Sequence, residues 1–93
     1  MFIISIEHFV HFILYPVMTM IYPRIRELRE DADLTQAAVG RAINVPQRTY
    51  AYYESGQRMI PPPVLCALAG FYQTSVDYLI GLTDERKPYP RKK

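Results

Sequence analysis

The chain has 93 residues, enough for one small domain with a single modest core. Its hydrophobic content of 49% argues against an intrinsically disordered protein. The net charge of +2 is too small to indicate a nucleic-acid partner by itself, and the single cysteine rules out a disulfide framework and a thiol-based metal site. We expect Cys66 to be a buried structural thiol, which fits a reducing cytoplasm.

The N-terminal extension, residues 1–19, is apolar and has one charged residue and no Lys or Arg. It lacks the basic start and the cleavage site of a secretory signal, and Pro16 and polar residues interrupt the run that a transmembrane span requires. His8 and His11 are spaced for a metal on a helix, but no third ligand accompanies them. Three interpretations stay open: a dispensable segment before a natural start at Met20, an element that packs on the domain or on a second copy, or a membrane-associated segment.

The rest of the chain is predicted to form short helices joined by tight turns. The first helix lies in YPRIRELRED, with Pro23 near its start and the apolar residues Ile25 and Leu28 three positions apart. A turn in DADL follows, and Thr35 is suited to cap a second helix, QAAVGRAI. NVP is then predicted as a short turn, because Asn44 tolerates the left-handed backbone conformation.

Three further helices follow. The third is predicted over residues 46–55, with proline in its first turn and Gly56 as its stop. IPPP leads rigidly into a fourth helix, VLCALAGFY, which is apolar on nearly every face and should be buried or at an interface. Ser75 caps a fifth helix that ends at Gly81. The predicted fold is therefore an all-α domain of five helices, residues 20–84.

Charge is distributed unevenly along the chain. Between residues 34 and 76 there is one acid, Glu54, against three arginines, so the middle of the chain is locally positive. These arginines are Arg41, Arg48 and Arg58. The C-terminal tail, residues 85–93, is a second basic cluster in ERKPYPRKK. We expect it to be a frayed, solvated end, with a phosphate-binding arm as the alternative.

The second and third helices, joined by only a few residues, are typical of a helix-turn-helix. Gly40 falls where one helix crosses closely over the other, so its missing side chain helps. At about 100° per residue, the third helix separates an apolar side from a polar one. The apolar side, Tyr50 and Tyr53, can share a core with Val39, Ile43 and Val45. The polar side carries Gln47, Arg48, Ala51, Tyr52 and Ser55, where the small alanine permits close approach to base edges.

At these residues the sequence resembles the helix-turn-helix family of phage repressors of the lambda and Cro type, also called the Xre family. The matching stretches are RIRELRED, LTQAAVGRAINVPQRTYAYYESGQRMIP and TSVDYLIGLTD, together covering about Tyr22 to Asp84. The resemblance implies a five-helix, lambda-repressor-like DNA-binding domain. It also implies that the helix at residues 46–55 enters the major groove.

The resemblance implies roles for individual residues. Gln36 would contact a DNA phosphate, and Gln57 and Arg58 would contact phosphates from the loop after the third helix. The groove-facing set would be Gln47, Arg48 and Tyr52, with Thr49 near the DNA backbone and Pro46 at the start of the helix. Arg29 and Glu54 match a pair that forms a buried ion bridge in this family.

Some residues depart from the family pattern. Asn44 replaces the common turn glycine, and Pro46 replaces a Ser or Thr cap. Tyr50 stands where Ile or Val is usual, so its hydroxyl must find a partner or reach the surface. Tyr52 replaces a polar residue, which makes the preferred bases hard to transfer from relatives.

The implied function is a sequence-specific DNA-binding transcriptional regulator, a repressor that binds double-stranded DNA as a homodimer in the cytoplasm. The alternative is an antitoxin or another protein-interaction module, with residues 1–19 as the candidate contact. An enzyme is not expected, because the chain has no Ser/His/Asp or Cys/His set, no glycine-rich phosphate loop and no carboxylate cluster. No cofactor, metal or small-molecule ligand is expected, and a membrane partner is not favoured.

Overall fold

A computed structural model of the chain describes residues 21–90. This part contains five α-helices and no strand. The helices are α1 (Pro23–Asp31), α2 (Gln36–Ala42), α3 (Gln47–Ser55), α4 (Pro62–Phe71) and α5 (Val76–Leu79). The predicted all-α, five-helix fold is therefore confirmed. The expectations for residues 1–19 lie outside the described residues.

Side-chain caps begin two of the helices where the sequence predicts them. The hydroxyl of Thr35 accepts a hydrogen bond of 3.0 Å from the backbone N–H of Ala38, at the start of α2. At the start of α5, Ser75 accepts one of 3.0 Å from the N–H of Tyr78. Each bond satisfies one of the backbone donors that a helix start leaves without a partner.

Prolines begin the other three helices. Pro23 is in the first turn of α1, as expected. The third helix begins one residue later than predicted, because Pro46 has the extended ψ of 146° and lies before the first helical residue. The fourth helix begins earlier than predicted, at Pro62, since a proline in the first turn loses no hydrogen bond there.

The turns between the helices use left-handed backbone conformations. Asn44 has φ of 62° in the turn between α2 and α3, which is the conformation expected from its sequence position. The same turn requires Gly40: a Cβ placed there would lie 2.7 Å from the carbonyl oxygen of Val45. The two residues are also joined by a 2.8 Å hydrogen bond from the Val45 N–H to the Gly40 carbonyl. The backbone of the turn therefore approaches α2 at Gly40 too closely to leave room for a side chain.

One hydrophobic core lies between the helices. Its fully buried members come from all five of them and are Ile25, Val39, Tyr50, Leu68 and Leu79. Ile43 and Val45 are partly buried against this core, so the predicted apolar set of the helix-turn-helix does meet. None of the helices in the described part is long and apolar enough to cross a membrane.

The fourth helix buries only part of its apolar surface. Leu68 and Ala69 are in the core, whereas Cys66, Ala67 and Phe71 are exposed. The prediction of a buried Cys66 is therefore wrong. Because Cys66 lies two residues before Leu68, it is about 200° away around the helix axis and points out when Leu68 points in.

Hydrogen bonds join the C-terminal tail to the rest of the domain. The hydroxyl of Thr74 donates a 2.7 Å hydrogen bond to the carbonyl of Arg86, and the hydroxyl of Tyr89 donates one of 2.6 Å to Asp77. Residues 85–90 are exposed, as expected, while the frayed end and the phosphate-binding arm stay predictions. Hydrogen bonds to the residues before and within α5 hold them along the domain.

Gly40→Ala should destabilise the domain by about 1–3 kcal/mol, because the added methyl group would overlap the Val45 carbonyl. The measurement is the free energy of unfolding in urea. Relief of the intrinsic helix cost of glycine would by itself stabilise the protein by up to about 1 kcal/mol. A more stable variant would therefore contradict the close approach.

Candidate nucleic-acid interface

Helix α3 divides its side chains between the core and the surface. Tyr50 is fully buried and Tyr53 is 9% exposed. The opposite side, which we call the polar face of α3, consists of Gln47, Arg48, Ala51, Tyr52 and Ser55. Gln47, Arg48 and Ser55 are exposed, and the other two are partly buried. The predicted separation of the three tyrosines therefore follows from helical geometry.

The loop after α3 returns its side chains to the end of that helix. Gly56 has φ of 82°, and its N–H donates to the carbonyl of Tyr53. The N–H groups of Gln57 and Arg58 both donate to the carbonyl of Tyr52, at 3.0 and 3.3 Å. This is a Schellman-type ending, which satisfies carbonyls that the helix leaves without partners. It places the two predicted phosphate contacts beside the polar face of α3.

Four residues from three helices form a polar cluster between α1, α2 and α3. We call it the Glu54 cluster; its members are Arg29, Gln36, Tyr50 and Glu54. Arg29 makes a bidentate ion pair with Glu54, through Nε at 2.7 Å and Nη2 at 3.1 Å. Both side chains are largely buried, 12% and 4% exposed. The pair joins α1 to the last turn of α3, as the sequence resemblance implies.

Two further donors complete the Glu54 cluster. The Tyr50 hydroxyl donates a 2.5 Å hydrogen bond to Glu54, so the partner that this hydroxyl requires is one turn away on the same helix. The side-chain amide of Gln36 donates to the other carboxylate oxygen at 3.2 Å. Sequence reasoning missed both contacts. The four-residue spacing of Tyr50 and Glu54 was the signal for the first of them.

The cluster keeps Glu54 ionised. Burial alone would raise the pKa of Glu54, but hydrogen bonds from Arg29, Tyr50 and Gln36 favour the carboxylate and outweigh burial, so its pKa is lowered. The hydrogen bond with Glu54 raises the pKa of Arg29. Burial, and then the hydrogen bond to Glu54, raise the pKa of Tyr50. At neutral pH the cluster therefore holds an anion, a cation and a neutral phenol.

Ion pairing leaves three arginines from the middle of the chain without an acidic partner in the described residues. In the part of the chain that the structure describes, the paired arginines all lie in α1: Arg24 with Asp84, Arg26 with Glu30, and Arg29 with Glu54. Arg41, Arg48 and Arg58 are exposed and have no acidic partner within residues 21–90. Glu54, the acid between residues 34 and 76, is buried in its own ion pair with Arg29 and therefore does not neutralise these three arginines.

The predicted site residues lie on one continuous stretch, with one exception. Pro46 precedes α3, Thr49 is a partly buried residue at the margin of the polar face of α3, and the loop residues follow at its end. Gln36 lies apart, at the first position of α2, with its amide on Glu54. Within residues 21–90 no three His, Cys, Asp or Glu side chains are grouped to hold a metal.

An aromatic contact that sequence reasoning missed completes the site. The guanidinium of Arg58 lies over the ring of Tyr52, 4.8 Å from its centroid, within the range of a cation–π interaction. The signal available in the sequence was Gly56, since a left-handed residue there reverses the chain toward the last turn of α3.

A family model described as Helix-turn-helix matches residues 25–79, more than half of the chain. The chain belongs to this helix-turn-helix family. The matched range begins in α1 and ends at the last residue of α5, so it contains α2, the turn and α3. The resemblance to lambda and Cro-type regulators is thereby confirmed.

The chain is also similar to an uncharacterized HTH-type transcriptional regulator, YobD, of Bacillus subtilis (strain 168). The two sequences are 36% identical over 70 residues. That region is 75% of this chain and 62% of the relative, so the chain spans less than two thirds of the relative's length. No solved structure matches the chain.

Arg29→Ala should destabilise the helix-turn-helix domain by about 3–5 kcal/mol, because it leaves the buried carboxylate of Glu54 without its cation. The measurement is urea unfolding at neutral pH. Arg26→Ala is the matched control on the same helix, since the Arg26–Glu30 pair is exposed and should contribute about 0.5 kcal/mol or less. Equal losses in the two variants would contradict a buried role for Arg29.

The stabilisation by Glu54 should depend on pH. The pKa of Glu54 is lower in the folded protein than its ordinary 4.5, so this stabilisation is fully present above pH 4.5 and is lost as the pH falls through the folded pKa. The free energy of unfolding of wild type minus that of Glu54→Gln should therefore shrink as the pH is lowered from neutral to about 3. The two proteins share every other carboxylate, so the subtraction isolates Glu54. A difference independent of pH would contradict the charged state of Glu54.

Proposed function

We propose that the chain is a sequence-specific DNA-binding transcriptional regulator whose α3 enters the major groove. The observation that carries the proposal is the polar face of α3, on which Gln47, Arg48 and Ser55 are exposed and no side chain is acidic. A Gln side chain can pair with adenine and an Arg with guanine through two hydrogen bonds each. Gln47 and Arg48 are exposed, which leaves both of them available for such pairing.

Phosphate contacts would flank this face. Gln57 and Arg58 are exposed beside the end of α3 and would bind the DNA backbone on that side. Gln36 would act at the start of α2. Its amide nitrogen carries two hydrogens, so the hydrogen bond to Glu54 leaves one donor for a phosphate. Thr49 and Pro46 would lie at the margin of the contact. Such phosphate contacts fix the position of a protein on the duplex, and the base contacts then select the sequence.

The protein would bind as a homodimer to a pseudo-palindrome with half-sites about one helical turn apart. The exposed apolar side of α4, where Phe71 is 40% exposed, is a candidate surface for the second copy, together with α5 and residues 1–19. We propose repression as the mode of action, because a bound dimer can exclude polymerase without any further contact. The site of action would be the cytoplasm.

An antitoxin or another protein-interaction module is the second candidate. The same exposed side of α4 supports it, since Cys66, Ala67 and Phe71 present an apolar surface that a different protein would also cover. The mass of the complex formed on operator DNA distinguishes the two candidates, because an interaction module would bring a different protein into that complex. A regulator of the first kind binds its operator as two copies of this chain and nothing else.

The test is selection of bound sites from random duplex DNA with the full chain. We expect enrichment of one short motif in two symmetric copies, and affinity that falls steeply as salt rises because bound phosphates release counterions. Arg48→Ala should then weaken binding to the selected site by about 1–3 kcal/mol and relax the preference at one base pair.

Two outcomes would count against this assignment. An equal loss of affinity on all duplexes would make Arg48 a phosphate contact rather than a base contact. Absence of any enriched motif, or binding that does not change with salt, would remove sequence-specific DNA recognition altogether. Arg26→Ala serves as the control here as well, because Arg26 lies on α1 in an ion pair with Glu30.

A further inference from the structure

Arg58 contacts Tyr52 through both its backbone and its side chain. Its backbone N–H donates to the Tyr52 carbonyl at 3.3 Å, and its guanidinium lies 4.8 Å from the centroid of the Tyr52 ring. The left-handed Gly56 makes both contacts possible, because it turns the chain back over the last turn of α3. The stack is therefore a product of the helix ending and involves residues six apart in the chain.

A second stacked arginine in the same domain shows what a purely structural stack looks like. Arg24 lies 4.2 Å from the centroid of the Tyr78 ring, and its donors are used by the carbonyls of Tyr78 and Thr83 and by Asp84. That arginine clamps α1 to the segment after α5. In the described part of the chain, the guanidinium of Arg58 makes no hydrogen bond or ion pair, and the hydroxyl of Tyr52 makes no hydrogen bond. Both groups are thus available to an external ligand.

We propose that Arg58 is a positioning residue that determines the base preference of Tyr52. The Arg58 guanidinium covers one face of the Tyr52 ring and so fixes the orientation of that ring at the end of the polar face of α3. The N–H donors at the edge of the guanidinium would bind a phosphate of the DNA backbone. A planar guanidinium can stack and donate at the same time. The inference rests on the proposed DNA-binding function. The stacked pair of Arg58 and Tyr52 would act as one unit, in which Arg58 contacts a phosphate and Tyr52 contacts a base.

The experiment compares affinities for the selected duplex and for duplexes that differ from it at one base pair. Arg58→Ala should weaken binding to all of them, lower the salt slope by about one, and reduce the preference at the base pair next to Tyr52 by about two- to five-fold. Tyr52→Leu should reduce the same preference. The double variant should show no further reduction at that base pair, because each change removes the same unit.

Two matched variants separate charge from stacking. Arg58→Lys keeps the positive charge and should keep the salt slope, yet it should lower the preference because lysine has no planar group to stack on the ring. Arg41→Ala removes an exposed arginine that has no aromatic partner in the described part. It should leave the preference next to Tyr52 unchanged. Thermal unfolding of each variant confirms that the domain is still folded.

An NMR measurement without DNA checks the stack itself. The side-chain protons of Arg58 should be shifted upfield by the Tyr52 ring and should lose that shift in Tyr52→Leu. The inference is overturned if the shift is absent, or if Arg58→Ala weakens binding equally on all duplexes and adds to Tyr52→Leu. In the second case wild type still selects a motif and the proposed function stands. A wild type that selects no motif overturns both.

Discussion

Glu54 places a carboxylate between α1, α2 and α3, with only 4% of its side chain exposed. A buried charge of this kind costs several kcal/mol unless donors surround it, and Arg29, Gln36 and Tyr50 supply them. Since these donors come from three helices, the carboxylate can be satisfied in one relative arrangement of the three. The orientation of α3 on the domain, and hence the direction of its polar face, depends on that arrangement.

The same carboxylate affects the balance of exposed charge in and beside α3. Because Arg29 neutralises the charge of Glu54, that charge does not offset the positive charges of Arg41, Arg48 and Arg58 at the surface. Sequence composition counts four charged residues in this region, but the surface presents three cations. The small net charge of the whole chain therefore conceals three exposed cations in and beside the helix-turn-helix.

Much of the helical organisation is predictable because it depends on neighbours in the chain. Thr35 caps α2 through a contact with a residue three positions away, and the left-handed conformation of Asn44 depends on that residue's own preference. Prediction fails where a helix gives no contrast between its sides. The fourth helix is apolar all round, so its sequence does not indicate that Leu68 faces inward and Cys66 outward. The contacts of the tail are unpredictable for another reason, since they join distant residues, such as Thr74 and Arg86, which are 12 apart.

The sequence by itself determined the division of the tyrosines, because a rotation of about 100° per residue points Tyr52 about 100° away from Tyr53 and about 160° away from Tyr50 in any α-helix. Tertiary structure alone decided what the tyrosines contact. The cluster around Tyr50 required α1 and α2 to meet α3 at Glu54, and the stack on Tyr52 required the chain to return after Gly56. Helical periodicity assigns a side chain to a face, but the partner on that face comes from another segment, whose position only the packed fold defines.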